Sequence, residues 1–148
     1  MKQGLFKGFE FSSKALKPFI QFMWASDLVR SRVHSHLNQF NITVSQFGVL
    51  DALFHLGPMS QKELGKKILK TSGNITMVID NLEKNTLVQR VRNEKDRRFF
   101  TIHITAKGKT LFKKIMPDQI QAIEKQLGKL TNAEQEELGR LCVKLGRE

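Results

Sequence analysis

Four histidines and one cysteine are the side chains of this 148-residue chain best suited to ligate a metal or attack a substrate. Their spacing organises neither reaction. A helical metal site needs ligands three or four residues apart, as in His-Glu-x-x-His. His34 and His36 are two apart and point to different faces, and His55 and His103 stand in separate segments. Asp27, Asp51, Asp80 and Asp96 are scattered too, so paired-carboxylate hydrolysis has nothing to work with. There is no phosphate loop and no nucleophile elbow. The expectation is a protein that is no enzyme and takes neither metal nor cofactor. Cys142 shares a helical face with Leu138, Leu141 and Leu145, which predicts a buried packing residue rather than a reactive thiol. One cysteine forms no disulfide within the chain and suits a reducing compartment.

The chemistry that remains is recognition of a polyanion. The net charge is +11 and the isoelectric point about 10.1. The charge is concentrated: between Gln61 and Lys109 twelve Lys and Arg face five Asp and Glu, a surplus of seven. Arg97 and Arg98 stand in a polar stretch suited to a projecting loop, and such a pair can enter a narrow minor groove. Lys62, Lys66, Lys67, Arg90 and Arg92 are placed to contact phosphates.

These residues must be held by helices and one hairpin. Apolar positions at three- and four-residue spacing predict a first helix over about 14–38, with Pro18 near its start. Thr43 with Gln46 has the form of a capping box opening a second helix, which Gly57-Pro58 stops. Ser60 with Glu63 opens a short third helix. Thr71-Ser72 caps a fourth, whose stripe of Ile75, Val78, Ile79 and Leu82 ends at Asn85. Two short helices so close together form a helix-turn-helix. Leu87 to Arg92 and Phe99 to Ile104 then read as two strands around a polar turn, with Phe100, Ile102 and Ile104 inward. Thr105 caps a long helix that Pro117 should kink, and Thr131 with Glu134 opens the last one. No stretch approaches the roughly 20 apolar residues of a membrane span, and the N-terminus has no secretory signal pattern.

Set on a wheel, the fourth helix turns Gly73, Met77, Asp80 and Lys84 away from its apolar stripe, flanked by Lys70, Asn74 and Thr76. Offered N-terminus first to a major groove, it brings Thr71, Ser72, Gly73, Asn74, Thr76 and Met77 nearest the bases. Asn74 can bond adenine, and Met77 or Thr76 can touch a thymine methyl. Asp80 is expected to pair with Lys84.

The run from Ser45 to Phe112 resembles the MarR family of bacterial regulators. It has the Ser45-Gln46-Phe47 start, Gln61-Lys62-Glu63-Leu64, Asn74-Ile75-Thr76 through Leu82-Glu83-Lys84, Leu87-Val88, Asp96-Arg97-Arg98, and Ile104-Thr105-Ala106-Lys107-Gly108. Where the family often has Gly-Leu, this chain has Asn85-Thr86-Leu87, and Asn85 is expected to take the left-handed cap. The resemblance implies a mainly α fold with a small β-hairpin wing, a winged helix-turn-helix with N- and C-terminal dimerisation helices. It predicts one domain over 1–148, with the DNA-binding lobe at about 45–104 and the dimerisation region at about 10–40 and 105–148. It assigns one wing arginine, Arg97 or Arg98, to DNA, oriented by Asp96.

The implied function is a sequence-specific regulator of transcription on duplex DNA, a repressor. The competing reading is an architectural DNA-binding or RNA-binding protein. The apolar faces of the terminal helices call for a homodimer, hence a roughly palindromic operator. The resemblance also implies release from DNA by a small aromatic or anionic effector, with Met23, Trp24, Phe54, His55, Phe112 and Met116 as candidate lining. The expected address is the cytoplasm, at the nucleoid, with no membrane partner.

Overall fold

The computed structural model describes residues 14–68, 72–92 and 100–146. Leu16–Val33 forms α1, and a 3-10 helix over Ser35–Phe40 follows. The first helix is thus shorter than its apolar spacing predicts. His34 leaves helical geometry, and the chain then winds more tightly until Asn41 stops it in the left-handed region at φ 53°. This winding carries Leu37 and, after it, Ile42 into the core.

Helix α2, Val44–Leu56, opens on the expected capping box. The Thr43 N–H donates to Gln46 Oε1 at 2.8 Å, and the Gln46 N–H donates back to Thr43 Oγ1 at 3.2 Å. It is the central helix, burying Phe47, Val49, Leu50, Ala52 and Leu53. Gly57 ends it at φ 81°, ψ −172°, a conformation open essentially to glycine.

Strand β1, Met59–Ser60, follows, then α3, Gln61–Lys67, capped by Ser60 with Glu63. Next come α4 (Ser72–Lys84), β2 (Val88–Arg92) and β3 (Phe100–Ile104). The sheet has three strands in the order β1-β3-β2, all antiparallel, so the hairpin does not stand alone. Met59 pairs with Ile102 and Ser60 with Thr101, which fastens the hairpin to the segment between α2 and α3. On β3, Ile102 is buried and Ile104 packs against the core, but Phe100 is 43% exposed. The inward alternation fails there because this end of β3 lies outside the core cluster that holds Ile102 and Ile104. Phe100 instead carries the Arg92 guanidinium over its ring at 5.5 Å.

Ile75, Ile79 and Leu82 bury one side of α4. The helix closes with two reversed bonds, Thr86 N–H to Glu83 O and Leu87 N–H to Leu82 O. The left-handed residue of this closure is Thr86, at φ 59°, and not Asn85.

Helix α5, Ala106–Leu127, is capped by Thr105 and continues as helix through Pro117. Gly108 lies where it touches the sheet: a Cβ there would come 2.1 Å from Leu87 O. Phe112 and Ile115 complete the core beneath α2. Helix α6, Asn132–Gly146, opens on the Thr131–Glu134 box and buries none of its residues. Cys142 is therefore exposed, against the expectation of a packed thiol, because its helical face has nothing in this chain lying over it among the described residues.

Candidate nucleic-acid interface

Burial fixes how α4 is rolled. With Ile75, Ile79 and Leu82 inward, Gly73, Asn74, Thr76, Met77, Asp80 and Lys84 are all exposed, and Met77 is 60% exposed. An apolar side chain so prominent on a polar face suits a thymine methyl better than water. The face is braced from beneath. Gln61 Nε2 on α3 donates to Thr76 Oγ1 at 2.6 Å, and the Asn81 amide donates to Met77 O at 3.0 Å. Nothing lies within 4 Å of where a Gly73 Cβ would stand, so a phosphate could come close to that backbone. Lys62, Lys66 and Lys67 are exposed on α3 beside it.

Lys70, Thr71, Asp96, Arg97 and Arg98 lie outside the described residues, as does the side chain of Ser72. The wing's two ends, Arg92 and Phe100, face each other across the β2–β3 ladder.

Arg90 departs from the phosphate contact expected of it. Its guanidinium donates through Nη1 to Glu83 Oε2 and through Nη2 to Asp80 Oδ1, and its N–H donates to Glu83 Oε1 at 2.8 Å. Asp80 therefore pairs with Arg90, ten residues on, rather than with Lys84. Burial pulls the Arg90 pKa down, but the bonds and charges of Asp80 and Glu83 outweigh it and leave it raised. A cation whose charge is already met by two carboxylates has little left for a phosphate. Arg92 remains exposed and stacked on Phe100.

Of the candidate effector residues, three come together. The Phe54 and Phe112 rings are 4.6 Å apart, and His55 meets them edge-on at 5.2 and 5.6 Å. His55 Nδ1 lies 3.0 Å from Asp51 Oδ1. Phe112 is buried and also stacks on Phe47, which makes it a packing residue first. Met116 is partly buried against the same core, while Met23 and Trp24 are exposed on α1.

Sequence reasoning missed Gln61, Glu83 and Lys107. The Lys107 ammonium donates to Asn85 O and Thr86 Oγ1, both at 3.0 Å, and anchors the turn after α4. Only the folded register brings these partners together, since each pair is separated by 7 to 22 residues. Among the described residues no three His, Cys, Asp or Glu side chains gather as metal ligands, and no helix is long and apolar enough to cross a membrane.

A family profile described as Transcriptional regulator SarA/Rot matches residues 32–115. The HTH-type transcriptional regulator MhqR of Bacillus subtilis is 32% identical over 135 residues, 91% of this chain and 93% of MhqR. Among solved structures, a mutant MarR from E. coli complexed with operator DNA superposes with a TM-score of 0.82 at 20% identity, over 90% of this chain and 96% of that one. Bordetella bronchiseptica BpsR, whose DNA binding is regulated by 6-hydroxynicotinic acid, superposes with a TM-score of 0.81 at 22% identity, over 88% and 99%. The profile covers more than half the chain and includes α2, α3, α4 and the sheet, the very elements that expose the polar face. The chain belongs to the SarA/Rot family of DNA-binding transcriptional regulators, built on the MarR-type winged-helix fold, and its work is regulation rather than catalysis.

Proposed function

We propose that the chain represses transcription as a homodimer that places two α4 helices in successive major grooves of a roughly palindromic operator. The observation that carries this reading is the exposed outer face of α4, with Asn74, Thr76 and Met77 beside the open lysines of α3. In the reading, Lys70, Thr71, Ser72 and Gly73 lead α4 to the bases, and Lys62, Lys66, Lys67 and Arg92 hold phosphates. One of Arg97 and Arg98, oriented by Asp96, enters the minor groove. A dimer so seated covers duplex that another protein would need, which is repression by occupancy. The lobe at about 45–104 reads DNA, and the segments at about 10–40 and 105–148 bring two copies together at the nucleoid in the cytoplasm.

Support for the homodimer comes from the apolar side chains left exposed on three helices, among them Phe19 and Trp24 on α1, Ile120 on α5, and Leu141 and Leu145 on α6. The effector proposed is a small aromatic or anionic molecule bound against Phe54, His55 and Met116. The regulation of BpsR by 6-hydroxynicotinic acid favours that class of ligand.

The test is a gel shift on duplex that the protein itself selects from a random pool, repeated across salt concentrations. Each phosphate contact releases counterions, so log affinity should fall steeply with log salt. Arg97→Ala with Arg98→Ala should weaken binding without lowering thermal stability. Salt-insensitive binding, or a pair of substitutions that unfolds the protein, would sink these assignments.

A further inference from the structure

Arg90 sits two residues before the end of β2, where the chain leaves the sheet for the wing tip. Three bonds from this one residue, its N–H to Glu83 and its guanidinium to Glu83 and Asp80, reach the last two turns of α4. Val88, at the other end of β2, is buried in the core. Apolar packing thus holds the start of the strand and Arg90 its middle. Its side chain is 24% exposed, whereas the Arg30–Asp27 pair on α1 is 66% exposed at both partners. A partly desolvated arginine bound to two carboxylates is worth more than such a surface pair, and its planar fork fixes direction as well as distance.

We infer that Arg90 is a positioning residue for DNA reading: it sets the angle between the wing and α4, and it neutralises Asp80 and Glu83, which would otherwise repel the duplex. The inference rests on the reading of α4 and the wing as the DNA-contacting elements. Pairing with β3 aligns the two wing strands with each other, and β1 ties them to the α2–α3 segment. Neither of those contacts ties the middle of β2, from which the strand runs on to the wing, to α4. Asp80 is on the outer face of α4, so an uncompensated charge there would oppose phosphate directly.

The two contributions separate by substitution. Arg90→Lys keeps a cation near both acids but loses the fork. Arg90→Gln loses the charge as well. Asp80→Asn in the Arg90→Gln background restores the electrostatic part alone. The readouts are affinity for the selected duplex, affinity for random duplex, and thermal midpoint.

Arg90→Lys should bind random duplex as the wild type does, yet lose preference for the selected duplex by about tenfold. Arg90→Gln should weaken binding to both, and Asp80→Asn should recover the random-duplex part without the preference. In the Arg90→Lys background, Arg97→Ala with Arg98→Ala should cost much less than in the wild type, because a misdirected wing has little contact to lose. A merely structural role would shift the thermal midpoint and leave those two costs equal. Should Arg90→Gln fail to fold, Glu83→Gln replaces it for the directional part: it breaks the Glu83 bonds without adding negative charge, so preference for the selected duplex should fall while random-duplex binding does not weaken.

Full preference in a folded Arg90→Lys protein, or additive costs at Arg90 and the wing arginines, would overturn the inference. If the wild type showed no preference for any duplex, the reading of α4 and the wing would fall first.

Discussion

Thr86 holds the hardest backbone position among the described residues. A β-branched side chain at φ 59° costs on the order of 1–2 kcal/mol, and the helix closure needs a left-handed residue there. Neighbouring bonds hold it in place. Thr105 Oγ1 donates to Thr86 O at 2.8 Å, and the Lys107 ammonium reaches Thr86 Oγ1. Glycine would remove the strain but adds roughly 0.5–1 kcal/mol of unfolded-state entropy. Thr86→Gly should therefore stabilise the protein by up to about 1 kcal/mol, measured as a higher urea midpoint. A lower midpoint would mean that the Lys107 contact outweighs the strain.

His34 offers a pH-dependent test. Burial is the main cause lowering its pKa; the neighbouring Gln119 side chain opposes this, and the charges of His36 and Arg30 add to it. The unfolded chain then binds a proton more readily than the folded one. Stability is complete above the ordinary imidazole pKa of about 6.5 and is lost as pH falls toward the lower folded value. Thermal midpoints should fall as pH drops below about 6.5, and His34→Gln should flatten that fall. Carboxylates held low by their caps, Glu63 and Glu134, act only at more acid pH.

At the scale of elements, what could be read in advance was local chemistry. The boxes at Thr43, Ser60 and Thr131 each depend on residues three apart, so helix starts were legible. The exposed face of α4 was legible too, because one stripe fixes its roll. What depended on distant partners was not. Strand β1 is two residues long and exists through its pairing with β3, and Asp80 finds Arg90 through the β2 register rather than its helical neighbour Lys84. The end of α1 was obscured because Leu37 keeps a helical spacing while belonging to a tighter turn. Thr105 joins the two kinds of information. Its hydroxyl accepts from the Gly108 N–H at 3.0 Å, as a cap should, and donates to the turn after α4. Thr105→Ala should cost about 1–2 kcal/mol, and Thr105→Ser should recover most of it, by chemical denaturation. If alanine were neutral there, the link between α5 and the α4–β2 turn would carry no stability.

Over the whole molecule, apolar side chains divide into a closed set and an open one. The closed core runs from Leu37 to Ile115 and needs neither α6 nor the outer side of α1. Most of the open set lies on α1, α5 and α6: Trp24 is 57% exposed and Leu145 70%. A 15-residue helix that buries nothing is marginal in water, so α6 should depend on a partner surface for its helicity. In the proposed homodimer a second copy would supply that surface symmetrically and double the DNA contacts. The closed core predicts that the two functions separate on substitution. Trp24→Glu with Leu141→Glu should yield a monomer by sedimentation, with helical signal lost from α6 while the cooperative unfolding of the DNA-binding lobe survives. Its affinity for the palindromic duplex should fall by orders of magnitude, because one half-site no longer recruits the other. A wild-type protein that sediments as a monomer at micromolar concentration, or a charged double variant that remains a dimer, would show that these faces are covered in some other way.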